Sequence, residues 1–151
     1  MNLNEEVELL KRVPIFAKME QAKLKLLAFT SERVNFAAGQ EVCHQGDPGD
    51  TMYVILGGVA DVLIDKAGTD GQIAVAEMKK NSFFGEIAIL CDVPRTATIK
   101  ARESLSTLKI TKDMFYRLVE EFPQLSIEIM RELAHRLVDT NQKLQATTKP
   151  N

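Results

Sequence analysis

At 151 residues, with 45% apolar and 26% charged side chains, the chain has the composition of a globular domain large enough to bury a core. A formal net charge of −2, no tryptophan and 6% aromatic residues exclude the basic footprint of a nucleic-acid binder and a stacking platform for single strands. Two cysteines, Cys43 and Cys91, are too few for a disulfide framework and lack metal-type spacing.

The start, Met1-Asn2-Leu3-Asn4-Glu5-Glu6, is acidic and unlike a secretory or mitochondrial leader. It reads as the beginning of a complete small protein. No apolar run approaches the roughly 20 residues that span a bilayer, so a cytoplasmic location is expected.

From Glu5 to about Lys11, Val7 and Leu10 recur at helical spacing, with Val13 continuing the pattern until Pro14 ends it. Ile15-Phe16 forms a short apolar plug. A second helix is predicted from Met19 to Phe29, with Leu24, Leu27 and Ala28 on one face. The grain then changes to short alternating runs at Val34–Phe36, Val42–His44, Met52–Leu56 and Val59–Ile64. Further runs follow at Ile73–Met78, Ala97–Arg102 and Leu105–Ile110.

Gly57-Gly58 between two of these runs predicts a hairpin. Gln45-Gly46-Asp47-Pro48-Gly49-Asp50 is dense in turn formers. Seven or eight short strands with turns between them predict a barrel or jelly roll. Helix resumes at Thr111, a natural N-cap, with Met114, Phe115, Leu118 and Val119 on one face. Pro123 suits the first turn of a last helix whose stripe is Leu125, Ile129, Leu133 and Leu137. That helix loses its apolar face after Leu144 and ends in a polar tail, 146–151.

The window Phe83–Thr98 carries the chemistry. Gly85 permits backbone angles closed to other residues and close approach of a ligand to the main chain. Glu86–Leu90 has the length of one or two helical turns, whose first amides lack intrahelical partners. Pro94 stops the helix, and Arg95 supplies a permanently charged fork that matches two phosphate oxygens. A carboxylate repels a bare phosphate, so Glu86 fits this site only if the ligand also carries hydroxyls to donate to it.

These residues, with Pro14-Ile15-Phe16, Gly39-Gln40-Glu41 and the Gln45–Asp50 turn leading to Tyr53, Ile55 and Gly58, carry a resemblance. The chain resembles the cyclic nucleotide-binding domain shared by catabolite activator proteins, cyclic-nucleotide-dependent kinases and cyclic-nucleotide-gated channels. The likeness runs from about Leu9 to Leu137. It implies an α+β, mainly β fold: an eight-stranded jelly-roll barrel over 31–110 with a phosphate-binding cassette at 83–98. N-terminal helices at about 5–30 and a C-terminal helical lid at 111–145 would complete a single domain, 1–151.

The resemblance assigns cAMP or cGMP as ligand, with no cofactor, no metal and no catalytic chemistry. Glu86 would accept the ribose 2′-hydroxyl and Arg95 would pair with the cyclic phosphate. Phe84, Gly85 and the amides of Ile87 and Ala88 would complete the cassette, with Ala97 under the sugar-phosphate. Thr96 stands where a hydroxyl favours cGMP. Leu133, Arg136 and Leu137 are the lid candidates by position in the last helix. Partners would be an effector protein or domain, or a second copy using Met130, Leu133, Leu137 and Leu144; direct contact with nucleic acid or membrane is not expected.

Rival readings are weaker. A pocket without ligand would pair Glu86 with Arg95. A cupin-like metal enzyme needs converging histidines, and of His44 and His135 only His44 lies among the strands. A catabolite-activator-type transcription factor needs a helix-turn-helix domain, for which too few residues follow Leu137. A regulatory fragment of a larger channel, kinase or catabolite-activator-type transcription factor, with the output domain missing, remains the alternative to a free-standing module.

Overall fold

The structure is a computed structural model describing residues 2–148, without the side chains of 143, 144 and 146–148. The side chain of Leu144 and the end of the polar tail therefore lie outside the described residues. Helix α1 (Leu3–Lys11) opens on Asn2, whose side-chain oxygen accepts from the Glu5 amide at 2.9 Å. Its apolar positions Val7 and Leu10 are buried. Pro14–Phe16 is a single 3₁₀ turn that inserts Ile15 and Phe16 into the core. Helix α2 (Gln21–Thr30) buries Leu24, Leu27 and Ala28 as its spacing predicts.

The strands are β1 (Glu32–Phe36), β2 (Glu41–Cys43), β3 (Thr51–Gly57), β4 (Ala60–Asp65), β5 (Gln72–Met78), β6 (Phe83–Phe84), β7 (Thr98–Ala101) and β8 (Leu105–Thr111). They form two antiparallel four-stranded sheets, β1-β8-β3-β6 and β2-β7-β4-β5. This is the eight-stranded jelly roll expected from the sequence, as a face-to-face pair of sheets and not one closed barrel. β6, the one strand outside the seven runs read from the sequence, falls inside the cassette window, where it pairs Phe84 with Tyr53 and Phe83 with Val54.

The hairpin predicted at Gly57-Gly58 is not formed. β3 and β4 belong to different sheets, so the two glycines turn the chain from one sheet to the other. Gly58 has φ +92°, and a Cβ there would lie 2.3 Å from the Ser104 carbonyl oxygen. The corner needs glycine for space as well as for backbone angle.

β3 explains where the core sits. Its continuous apolar run is buried on both faces. Met52, Val54 and Leu56 join a cluster with Leu10, Phe16, Leu24 and Leu27 of the N-terminal helices, while Tyr53 and Ile55 face Phe84, Ile99 and Leu105 between the sheets. Each such side chain contributes about 1.5–3 kcal/mol on burial. β6 splits the same way: Phe83 enters the helical cluster and Phe84 the inter-sheet cluster.

After β6, Gly85 at φ +95° starts the short helix α3 (Glu86–Cys91). Thr111 caps α4 (Lys112–Glu121), accepting from the Met114 amide at 3.2 Å. The last helix, α5 (Gln124–Thr148), follows Pro123. Its stripe leaves the body of the protein progressively: Leu125 and Ile129 are buried, Leu133 packs partly buried against the helical cluster, and Leu137 is 63% exposed.

Candidate functional site

A cavity of about 170 Å³ opens beside α3. Phe84, Gly85, Glu86, Ile87, Ala88, Arg95, Thr96 and Ala97 all line it, so the structure brings every cassette residue singled out from the sequence to one place. Phe84 forms part of the wall and is held by stacking on Tyr53, with ring centroids 5.2 Å apart and planes 18° apart. Val62, Met78, Ile99 and Cys43 add an apolar wall that sequence reasoning did not assign to the site. Strand alternation was the available signal, because these residues point between the sheets.

Arg95 is 7% exposed, yet among the described residues its guanidinium has no carboxylate partner. Nη2 donates to the Thr51 hydroxyl at 2.9 Å and Nη1 to the Gly85 carbonyl at 3.4 Å. Neither partner carries a charge, and Arg95 lines the cavity.

Glu86 is 1% exposed and does not pair with Arg95. Its Oε1 accepts from Arg136 Nη1 at 3.0 Å, and its Oε2 has no hydrogen-bond partner. Burial pushes the Glu86 carboxyl pKa up, against the opposing pull of Arg136 and, more weakly, Arg95. A buried acceptor without a donor is costly, and Oε2 is the one such side-chain atom among the described residues.

Of the three lid candidates only Arg136 lines the cavity. Besides Glu86, it donates to the Phe83 carbonyl at 2.6 Å and lies with its guanidinium carbon 4.5 Å from the Phe83 ring centroid. Glu132, one turn earlier, approaches its Nε at 3.6 Å. Leu133 belongs to the helical core and Leu137 to the exposed surface, so neither covers the cavity here.

Cys43 is half-buried in the cavity wall, and burial raises its thiol pKa, which keeps it protonated. Cys91 is exposed on α3. His44 pairs with Glu41 at 3.0 Å, outside the cavity lining, and His135 is exposed on α5. Among the described residues, no three His, Cys, Asp or Glu side chains are placed to hold a metal ion. Among them, too, no helix is long and apolar enough to cross a membrane.

One buried cation without a carboxylate, one buried carboxylate oxygen without a donor, and an apolar wall line a single cavity, which makes this a jelly-roll domain of the small-ligand-binding class.

Comparison with known proteins gives that class a family. The family described as cyclic nucleotide-binding domain matches residues 33–122, more than half of the chain. The chain belongs to the cyclic nucleotide-binding domain family. It is 37% identical over 111 residues to a cAMP-dependent protein kinase regulatory subunit of Blastocladiella emersonii, a match covering 73% of this chain and 27% of that protein. The chain thus spans about a quarter of the length of that relative.

Its fold is similar to a cyclic nucleotide-binding domain from Methylobacillus flagellatus, with a TM-score of 0.81 and 20% identity over 99% of this chain and 85% of the other. It is also similar to the catabolite activator protein of Thermus thermophilus, with a TM-score of 0.78 and 21% identity over 89% of this chain and 63% of the other.

Proposed function

We propose that this chain is a regulatory module that binds a cyclic nucleotide monophosphate, cAMP or cGMP, and has no catalytic step of its own. The observation that carries the reading is the pair of open valences in one cavity: the Arg95 guanidinium without a carboxylate, and Glu86 Oε2 without a donor. The cyclic phosphate takes the first and the ribose 2′-hydroxyl the second. The base lies along Val62, Met78, Ile99 and Cys43, with Thr96 at the rim to meet it.

Titration calorimetry with cAMP and cGMP tests this directly. Saturable binding of at least one is expected, and a wild-type chain that binds neither sinks the proposal.

Transmission runs through Glu86. A hydroxyl on Oε2 favours the ionised carboxylate, which strengthens its pair with Arg136 and holds α5 against the cassette. The ligand thereby binds one arrangement of α5 better than another, as any ligand-driven shift requires. The helix offers Ile127, Met130, Leu137 and Val138, all exposed, to an effector or a second copy. The kinase regulatory relative supports an effector, and sedimentation with and without nucleotide distinguishes the two.

The same chemistry sets a pH dependence. Burial raises the Glu86 pKa in the free protein, and the ligand hydroxyl needs the ionised form, so binding releases a proton below that pKa. Affinity is therefore expected to fall as pH drops through the raised Glu86 pKa, approaching about tenfold per pH unit. Glu86→Gln binds more weakly at neutral pH and shows a flatter profile. Affinity that improves towards acid pH contradicts the assignment of Oε2.

A further inference from the structure

The Gln45–Asp50 turn takes no part in the ligand contacts assigned above, yet the segment Gly46–Thr51 surrounds Arg95 from main chain to guanidinium. Two backbone bonds tie the arginine to the turn: Gly46 N to Arg95 O at 2.9 Å and Arg95 N to Asp47 O at 2.8 Å. Further along, a Cβ built on Gly49 would lie 2.5 Å from Arg95 Nε and 2.7 Å from Cζ. Gly49 is therefore the space that the guanidinium fills. Thr51, at the start of β3, then accepts from Nη2 at 2.9 Å, with the contact buried.

A Cβ on Gly85 would lie 2.7 Å from Nη1, which bounds the fork on the other side. Arg95 has several rotatable bonds, and an unrestrained side chain of that kind loses substantial rotamer entropy when it engages a ligand.

We propose that Thr51 and Gly49 are positioning residues that fix the Arg95 fork before ligand arrives. Thr51 acts through its hydroxyl and Gly49 through the absence of a side chain. The inference rests on the reading of Arg95 as the anion-binding group. The acceptor chosen by the fold matters: a neutral hydroxyl orients the guanidinium without neutralising it, whereas a carboxylate at the same place would compete with the ligand for its charge. Preorganisation of this kind appears as affinity, because the ordering cost is met during folding and not at binding.

Three variants separate positioning from packing. Thr51→Val keeps the β-branched shape and removes the acceptor, Thr51→Ser restores it, and Gly49→Ala places a methyl group against the guanidinium. Calorimetry with whichever of cAMP and cGMP the wild type binds more tightly is expected to show Thr51→Val and Gly49→Ala weakened about tenfold, with Thr51→Ser within about threefold of wild type. Melting temperatures without ligand identify any variant that fails to fold, and the two Thr51 variants decide the matter if Gly49→Ala does.

Side-chain NMR of the Arg95 guanidinium supplies a readout that needs no nucleotide: hindered rotation in wild type and Thr51→Ser, freer rotation in Thr51→Val. Thr51→Val that binds as tightly as wild type overturns the proposal, as does Thr51→Ser as weak as Thr51→Val. A wild type that binds no cyclic nucleotide overturns the functional reading instead. In that case, freer rotation confined to Thr51→Val supports the positioning role, and unchanged rotation overturns it.

Discussion

Arg95→Ala is expected to weaken cyclic-nucleotide binding by about a hundredfold to a thousandfold, the loss of about 3–4 kcal/mol of charge-assisted hydrogen bonding to the phosphate. The effect is large because Arg95 is 7% exposed and has no carboxylate partner among the described residues. The cation is therefore already desolvated before a ligand enters, and a phosphate meets it in a medium where charge interactions are strong. Removing Arg95 abolishes that attraction and leaves the Thr51 hydroxyl and the Gly85 carbonyl without their donor.

Stability without ligand responds much less. The substitution deletes a few hydrogen bonds and also relieves an uncompensated buried charge, and the two effects oppose one another. Arg95→Lys keeps the charge but loses the two-pronged geometry, so its affinity falls between wild type and alanine. Calorimetry on the three proteins checks the series. Alanine binding within a few-fold of wild type would mean that the phosphate sits elsewhere in the cavity.

Most of this site is legible in the sequence because its chemistry is packed into sixteen consecutive residues. Glu86 and Arg95 lie nine positions apart in the chain and on the wall of one cavity in the fold. The limits have physical causes. A two-residue strand such as β6 is too short for alternation to register, so Phe83-Phe84 reads as an apolar pair. Gly57-Gly58 carries the local chemistry of a hairpin, but nothing local encodes that β3 and β4 enter different sheets.

Leu133, Arg136 and Leu137 share a stretch of α5, and helical periodicity shows only which residues share a stripe. It does not show where the stripe leaves the core. Leu133 still meets the helical cluster, whereas Leu137, one turn on, is past it and exposed. Arg136 reaches the cavity because its side chain is long enough to lie over the Phe83 ring and still contact Glu86. Thr51 and Gly49 escaped notice for a related reason: their role is to Arg95, not to ligand, and it exists only once the β2–β3 turn is folded around the guanidinium.

Arg136→Ala is expected to destabilise the ligand-free protein by about 2–3 kcal/mol at neutral pH. This is below the usual cost of breaking a buried pair because Arg136 is itself 28% exposed and only Glu86 is fully desolvated. The sign of the pH dependence distinguishes charge from packing. Without Arg136 the Glu86 pKa rises further, since the largest opposing influence on it is gone. A carboxyl whose folded-state pKa lies above its unfolded value favours the fold below the unfolded pKa and loses that contribution as pH rises through the folded one.

The deficit of Arg136→Ala relative to wild type is thus largest at neutral to alkaline pH and shrinks towards acid. Adding Glu86→Gln to Arg136→Ala removes the buried charge and recovers most of the loss, a non-additivity expected only of directly coupled residues. Melting curves of the four proteins across pH give both results, and a deficit independent of pH would reduce Arg136 to packing against Phe83.

The variant also tests how binding reaches α5. If the hydroxyl on Oε2 acts through the Glu86–Arg136 pair, nucleotide raises the hydrogen-exchange protection of α5 in wild type and leaves it unchanged in Arg136→Ala, although Arg95 still captures the phosphate. Equal protection of α5 by ligand in both proteins would place the coupling elsewhere, with α3 and its contact to Tyr116 of α4 as the route left to examine.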